Sequence, residues 1–472
     1  MSTIKSAPPA KQDVDRLKFT AKVSYGLGDM ASNLCWTLVT TYLLFYYSDV
    51  VKLDLAAIGL LFVVARLWDA INDPIMGYIA DRTHTRWGRF RPYLLFGPIA
   101  LAISLVLCFS VPDLSAGWKL AYAYVTYILL GMSYTVVNMP YGAMAASMTQ
   151  NADERTSLSG FRMFFAIIGS VAVSSTVQPL VRAFGGSDSS KTGFALTALV
   201  FAVVMLPLYF LVFSGTREVV QPDAKKPVPL KTLARAVFAN KPLVTILIST
   251  LIASTCLFIR QSMLIYYCTY VMENAALTSV LLALMAGMLI VGVLIAPPLS
   301  RKLGSKKLAM MLGLAVSGLC CLGMYLTGPE RMGFLYVWIV LSSAFSGMTF
   351  VMIWSMVADT IEYAEWKTGA RADGVIYSVA SFVQKLATAL SGWGAAMLLA
   401  AFGYVANASQ TPQALNGINL TMTIIPGIAM LLAVLPLLFH KLDRETYNRI
   451  KDEIYQRSLP QNEIKREEAQ HV

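Results

Sequence analysis

The chain has 472 residues, of which 56% are hydrophobic and 14% charged, and its mean hydropathy is +0.60. These values exclude an ordinary soluble globular protein. The net charge of +11 does not indicate a nucleic-acid partner, because the basic residues cluster in short loops between apolar stretches, where positive charge reports membrane topology.

Twelve apolar stretches are long enough to cross the hydrocarbon core of a bilayer, which takes about 20 helical residues. We therefore predict an all-α integral membrane protein with twelve transmembrane helices. Their predicted limits are residues 23–48, 56–80, 93–111, 119–146, 160–185, 193–214, 243–271, 277–299, 308–328, 333–358, 375–403 and 419–440.

The first span carries a polar face. In "YGLGDMASNLCW", the side chains of Tyr25, Asp29, Asn33 and Trp36 follow one another at steps of four, four and three, so they share one side of a helix. Carboxylates and amides hydrogen-bond hydroxyl groups, and aromatic rings cover the apolar face of a sugar ring. Tyr25, Asp29 and Asn33 are therefore candidate substrate ligands. The alternative is that these residues serve only interhelical hydrogen bonding and interface aromatic contacts.

The second span contains two carboxylates, in the stretch "ARLWDAINDP". Asp69 and Asp73 are one helical turn apart on one face, and two such groups with little water between them cannot both stay ionised without a partner. A cation or a proton would satisfy them, with oxygens of Asn72 and of Thr135 on span four completing the shell of a bound Na⁺. The alternative is a structural pair between Arg66 and Asp69, which leaves Asp73 unexplained.

A basic loop follows the second span, in "GYIADRTHTRWGRFRP". Asp81, Arg82, Arg86 and Arg89 are predicted to form a charge network that holds one conformation and breaks in the other. The alternative is that the arginines only anchor helix ends on the cytoplasmic side.

Three more candidate substrate ligands carry positive charge at membrane depth. Arg162 lies near the start of span five, Arg260 in span seven and Lys385 in span eleven. Spans seven to twelve have no acidic residue away from their ends, so Arg260 and Lys385 are expected to face an acidic group of the first half or an anionic ligand. Asn138 of span four completes the candidate set.

The chain divides into two halves of six spans, joined by the polar segment 215–242. The predicted organisation is a cytoplasmic N-terminal segment (1–22), a six-helix bundle (23–214), a cytoplasmic central loop (215–242), a second six-helix bundle (243–440) and a cytoplasmic tail (441–472). Lysine and arginine concentrate in the loops that this arrangement makes cytoplasmic, so both termini are expected inside the cell (inner) membrane. All six cysteines fall within spans, and no disulfide is expected.

Four stretches carry a resemblance to a known family. "KVSYGLGD", "LFVVARLWDAINDPIMGYIADRTHTRWGRFRPY", "NMPYGAMAASMTQ" and "DTIEYAEWKTGARADGVIYSV" resemble the glycoside-pentoside-hexuronide cation symporters of the major facilitator superfamily, and the likeness runs from Lys22 to Ile450. The resemblance implies two bundles around a central cavity, with the substrate near the midplane.

The resemblance also implies roles for several positions. Asp69 and Asp73 match carboxylates that coordinate the coupling cation, with Asn72 and Thr135 contributing, while Arg162 matches an arginine near the sugar. Lys385 matches a lysine near the cation site.

Two positions distinguish subgroups of that family. Asn33 and Asn138 stand where melibiose carriers have aspartates, which argues against α-galactosides and is more similar to glucuronide carriers. Losing two carboxylates removes repulsion toward an acidic substrate, and an arginine such as Arg260 would add attraction.

The sequence therefore predicts a monomeric symporter that moves an acidic glycoside, such as a glucuronide, together with Na⁺ or H⁺ across the bilayer. A carrier of a neutral pentoside or hexoside, a carrier of a sulfonated sugar and a passive facilitator are the alternatives. No enzyme motif is present in the sequence, and no cofactor is expected beyond the coupling ion.

Overall fold

The computed structural model describes residues 17–149, 151–219, 240–369 and 373–458. The regular elements in these ranges are helices. The long ones are α1 (Phe19–Phe45), α2 (Leu55–Arg82), α3 (Arg91–Cys108), α4 (Ala116–Met148), α5 (Ala152–Gly185), α6 (Lys191–Gly215), α7 (Lys241–Tyr266), α8 (Leu277–Lys302), α9 (Lys306–Thr327), α10 (Met332–Thr368) and α11 (Asp373–Ala401). The shorter ones are α12 (Pro412–Met422), α13 (Ile424–Leu432), α14 (Val434–Leu438) and α15 (Arg444–Ser458).

The helices agree with the predicted spans. In the described part of the chain, ten helical segments are long and apolar enough to cross a membrane, counting Pro412–Leu438 as one. The remaining two predicted spans are α1 and α11, which are helical but more polar; α1 carries Asp29 and Asn33, and α11 carries Gln384 and Lys385. The all-α membrane fold is thus confirmed.

The ends of some helices differ from prediction. Span ten was predicted at 333–358, whereas α10 has 37 residues and is therefore about 55 Å long, against about 30 Å for the hydrocarbon core. Hydropathy follows only the apolar part of a helix, so it misses polar turns that continue beyond the membrane. The helix stops at Gly369, whose φ of 69° is the left-handed conformation that favours glycine.

The described chain forms two compact units. Among the described residues, one comprises 17–38, 68–149, 151–173 and 192–219, and the other comprises 39–67, 174–191, 240–369 and 373–458. The predicted segments 1–22, 215–242 and 441–472 lie partly outside the described residues, and the predicted domain boundaries stay predictions.

In the second unit, α8 and α10 cross at a pair of glycines. A Cβ atom on Gly292 of α8 would lie 1.8 Å from the backbone oxygen of Ala344, and one on Gly347 of α10 would lie 2.2 Å from the backbone oxygen of Leu289. Only glycine allows this approach, since membrane helices pack closely where small residues let their backbones meet.

Replacing Gly292 by alanine should destabilise the protein by about 1–3 kcal/mol, because the new methyl group would collide with a backbone atom that cannot turn away. Thermal unfolding of the purified protein in detergent measures the loss. Gly287→Ala is the matched control on the same helix, since a Cβ atom there meets nothing within 4 Å. Equal unfolding midpoints for the two variants would contradict the close crossing.

Candidate functional site

The two carboxylates of α2 face α4 in the first unit. The Thr135 hydroxyl donates a hydrogen bond to Asp73 Oδ1 at 2.9 Å. One turn away on both helices, a Cβ atom on Gly131 would lie 2.8 Å from Asp69 Oδ1. Asp69 and Asp73 therefore lie on the same side of α2, as their spacing predicts, and Gly131 leaves room for the Asp69 carboxylate.

The surroundings of the pair are largely shielded from solvent. Asp69 is 4% exposed and Thr135 is 3% exposed, while Asp73 and Asn72 are half-buried. The Nδ2 group of Asn72 is buried and has no hydrogen-bond partner among the described residues. A buried amide group without a partner is costly, so this one is available to a ligand.

Prolines interrupt both helices beside the carboxylates. Pro74 follows Asp73 in α2, and Pro140 lies in α4 beyond Thr135. Because proline has no N–H group, the backbone carbonyls four residues earlier lose their helical donor. These two helices therefore offer further oxygen atoms besides the side chains.

A second polar group joins α1, α4 and α5 in the same unit. Arg162 Nε lies 2.5 Å from Asp29 Oδ2, and its Nη2 donates to Asp29 Oδ1 at 3.3 Å. The Tyr141 hydroxyl lies 2.6 Å from the Tyr25 carbonyl oxygen and 3.1 Å from Asp29 Oδ2, so its single hydrogen can be donated to either acceptor. Arg162 also lies over the Tyr141 ring, 4.9 Å from its centroid.

This arrangement limits what these side chains can do for a ligand. The charges of Arg162 and Asp29 cancel, and the Tyr25 hydroxyl donates to the Tyr141 carbonyl at 2.9 Å. Tyr25 is fully buried, whereas the Arg162 side chain keeps 31% of its surface exposed. The guanidinium of Arg162 is therefore the part of this group that a ligand can touch.

The predicted asparagines lie on the same two helices. Asn33 is half-buried and donates to the Asp29 carbonyl at 2.8 Å. Asn138 is half-buried on α4, one turn beyond Thr135. Close to them, the rings of Trp36 and Tyr134 pack with centroids 4.7 Å apart. An amide-bearing face bordered by aromatic rings suits a hydroxylated ring.

Arg260 and Lys385 belong to the second unit. Arg260 is fully buried, and its Nη2 donates to the Ser342 hydroxyl at 2.9 Å. Its Nε and Nη1 groups have no hydrogen-bond partner in the described chain. Lys385 is half-buried on α11. Arg260 is thus enclosed in this structure, and its predicted contact with a ligand stays a prediction.

The predicted charge network of the basic loop is described only in part. Arg82 lies over the Tyr78 ring at 4.1 Å, and Arg86 lies over the Trp87 ring at 4.4 Å. The side chain of Asp81 lies outside the described residues, so its pairing stays a prediction. The aromatic partner of Arg82 lies one helical turn earlier in the chain, and that of Arg86 is the next residue.

Arg89 is bonded to the carboxylate of Glu218, a residue that the sequence patterns did not single out. The Arg89 side chain donates through Nε to the Ala80 carbonyl at 3.2 Å. The backbone N–H groups of Arg89, Phe90 and Arg91 donate to the Glu218 carboxylate at 2.8, 2.8 and 3.1 Å. Glu218 therefore satisfies the free donors at the start of α3 and complements its dipole.

A faint signal for Glu218 exists in the sequence. It is an acidic residue directly after span six, in "SGTREVV", within a loop that is otherwise rich in basic residues. Hydropathy places both loops on one side of the membrane, but it does not show which backbone groups such a carboxylate meets.

Comparisons with known proteins agree with this architecture. A family model described as MFS/sugar transport protein matches residues 24–444. The isoprimeverose transporter of Lactiplantibacillus pentosus is 37% identical over 449 residues, which cover 93% of this chain and 93% of that protein. The glucuronide carrier protein homolog of Escherichia coli (strain K12) is 33% identical over 460 residues, which cover 95% of this chain and 98% of that protein.

The solved structures show the same fold. The nucleoside transporter NupG superimposes with a TM-score of 0.66 at 15% identity, and the match covers 90% of this chain and 100% of NupG. The fold and the site together define a multi-pass membrane transporter of the major facilitator superfamily. Within it, the chain belongs to the MFS/sugar transport protein family, which confirms the resemblance to the glycoside-pentoside-hexuronide symporters.

Replacing Glu218 by glutamine should lower the free energy of unfolding by about 1–3 kcal/mol, because the amide loses the negative charge at a helix N-terminus and turns one acceptor oxygen into a donor NH₂ group. Thermal unfolding in detergent measures the change. The control is Glu330→Gln, which removes an exposed carboxylate before α10. A Glu218 variant as stable as this control would show that the cap adds nothing to stability.

Proposed function

We propose that this protein is a secondary active symporter that couples uptake of a glycoside to influx of Na⁺ or H⁺. The observation that carries the proposal is the position of Asp69 and Asp73, on one face of α2 against α4, with Thr135 bonded to Asp73. Ionisable residues at membrane depth are rare and mark ion or proton pathways.

The chemistry of these groups suits a monovalent cation. Two carboxylates one turn apart repel each other in a shielded setting, and a bound cation or proton removes that repulsion. The Thr135 hydroxyl, the Asn72 side-chain oxygen and the carbonyls freed by Pro74 and Pro140 are hard oxygen donors of the kind that Na⁺ accepts. The same carboxylates would carry a proton, so both coupling ions remain candidates. For the Asp69 carboxylate, the competing interpretation is a structural ion pair with Arg66.

The helix that meets the cation site also carries candidate sugar ligands. Thr135 lies between Tyr134 and the half-buried Asn138 on α4. A cation that orders this part of α4 would order the sugar ligands as well, and the sugar would in turn strengthen cation binding, because coupling between two ligands is reciprocal. A passive facilitator would have no use for the carboxylate pair.

Topology completes the proposal. The positive-inside rule puts both termini and the central loop in the cytoplasm, as expected for a multi-pass protein of the cell (inner) membrane. The two six-helix repeats would then alternate access to the site from either side, as in other transporters built from repeats. We propose that the protein does this as a monomer.

Charge favours an uncharged glycoside as the substrate. In the first unit, Asp29 and Arg162 neutralise each other, and the Asp69 and Asp73 pair remains for the cation. An anionic sugar would be repelled by the carboxylates and would have to compete with Asp29 for Arg162. The similarity to an isoprimeverose transporter supports the same class.

An acidic glycoside, which the sequence analysis preferred, is the second candidate. Two nitrogens of Arg260, Nε and Nη1, have no hydrogen-bond partner among the described residues, and a buried guanidinium without an acidic partner favours a carboxylate or sulfonate ligand. The similarity to a glucuronide carrier homolog supports this class. For a sugar to reach Arg260, the enclosed side chain would have to become accessible.

Asp73→Asn should abolish accumulation of the glycoside against its gradient while leaving downhill exchange measurable, because the amide keeps the shape but loses the charge that holds the cation. Thr135→Val should weaken accumulation less, since it removes one neutral oxygen. Uptake into membrane vesicles with an imposed ion gradient measures both. Thr135→Ser, which keeps the hydroxyl, is the control, and full accumulation by Asp73→Asn would refute the assignment.

Uptake of a methyl glucoside should exceed uptake of the matched methyl glucuronide, because Asp29 neutralises Arg162 and the carboxylates of Asp69 and Asp73 would repel an anion. The ratio of glucoside uptake to glucuronide uptake is measured by letting each compound compete with a radiolabelled substrate. Arg260→Gln should leave the ratio unchanged. Faster uptake of the glucuronide, lost selectively in Arg260→Gln, would establish the acidic candidate instead.

A further inference from the structure

The second unit contains a buried carboxylate that none of the preceding roles uses. Asp49 lies in the short helical turn Tyr46–Val50 that follows α1, and it is 1% exposed. Its carboxylate accepts hydrogen bonds from three hydroxyl groups, those of Ser48 at 2.6 Å, Tyr404 at 2.5 Å and Tyr270.

Further bonds surround this carboxylate. The hydroxyls of Ser48 and Tyr266 are 2.7 Å apart. Asn407 donates through its side chain to the Asp49 carbonyl and through its backbone N–H to the Tyr270 hydroxyl at 3.2 Å. The group Ser48, Asp49, Tyr266, Tyr270, Tyr404 and Asn407 is called the latch below.

The latch joins three distant parts of the chain. Ser48 and Asp49 lie in the turn after α1, Tyr266 is the last residue of α7 and Tyr270 lies just beyond it, and Tyr404 and Asn407 follow α11. Among the described residues Asp49 makes no ion pair, so its charge is stabilised by hydroxyl donors alone. Hydrogen bonds to a charged acceptor in a shielded place are strong and reinforce one another.

Close packing continues from the latch along the same helices. Gln261 of α7 donates to the Thr41 hydroxyl of α1 at 2.8 Å. A Cβ atom on Gly392 of α11 would lie 2.7 Å from the Phe62 ring of α2. The last turns of α1 and the first turns of α2 are therefore held against α7 and α11.

The segments of the latch lie on one side of the membrane. An even number of predicted spans separates the ends of spans one, seven and eleven, so all three ends emerge together. The basic loops emerge on the other side. With the proposed orientation, the latch lies at the outer face.

We propose that the latch holds the outer side of the transporter closed and must open for a sugar to bind from outside. This inference rests on the proposed function, since it assumes a transporter that alternates between two open sides. The reason is geometric. If the end of α1 separates from the ends of α7 and α11, the hydrogen bonds that Tyr270 and Tyr404 donate to Asp49 break together.

Removing one hydroxyl group from a latch should raise the population of molecules that are open to the outside. Removing one from a merely structural cluster should not. Tyr404→Phe keeps the ring and removes one donor, which should raise the population open to the outside by about tenfold for a bond to a charged group. Tyr267→Phe is the matched control. Tyr267 directly follows Tyr266 of the latch, and its hydroxyl is buried without a hydrogen-bond partner in the described chain.

The reporter is a native thiol beside the latch. Cys268 is fully buried, and the other five cysteines would be replaced by serine or alanine. A membrane-impermeant maleimide added outside intact cells labels Cys268 only when the outer side opens. Tyr404→Phe should label about tenfold faster than the parent, and Tyr267→Phe at the parental rate.

Equal labelling rates in Tyr404→Phe and Tyr267→Phe would overturn the latch. Ser48→Ala, which removes a different donor, serves if Tyr404→Phe does not reach the membrane, and its labelling at the parental rate would equally overturn the proposal. Labelling is measured without any sugar, so its result can be interpreted even if no glycoside transport is found. The symporter proposal and the latch proposal can therefore fail separately.

Discussion

The structure depends on two negative charges that share one face of a membrane helix. Asp69 and Asp73 lie in a span that is largely apolar, and charged groups there are retained only where something compensates them. The α4 helix is shaped for this purpose, with a glycine opposite the first carboxylate and a hydroxyl bonded to the second. A carrier that exchanges its compensating cation with each cycle turns this electrostatic constraint into coupling.

A second pairing sets the character of the neighbouring region. Asp29 and Arg162 cancel their charges, and the Tyr141 hydroxyl lies within hydrogen-bond distance of both Asp29 and the Tyr25 carbonyl. Beside this neutral pair, the amides of Asn33 and Asn138 and the neighbouring aromatic rings are the proposed sugar ligands. Such a region would recognise hydroxyl groups by hydrogen bonding, while the proposed cation site lies one helix away.

Much of this was predictable from the sequence because the membrane constrains it. Hydropathy located the helices to within several residues, and helical spacing placed Asp69 and Asp73 on one face. Thr135 was a candidate because its hydroxyl on span four is a hard oxygen donor, and the family resemblance implied the same position, since spacing within one helix does not tell which helices meet. Glu218 and Asp49 were missed because their partners lie far along the chain, Phe90 at 128 positions and Tyr404 at 355. The length of α10 was missed because its last turns are polar.

We propose that a cation crosses the membrane with the sugar by way of the α2 carboxylates. Radioactive sodium and internal pH can be followed in vesicles while a transported glycoside is added without any imposed gradient. We expect one of the two ions to enter together with the sugar, and this influx to disappear when both carboxylates are replaced by asparagine. Sugar influx without either ion, or ion influx that survives the double replacement, would contradict it.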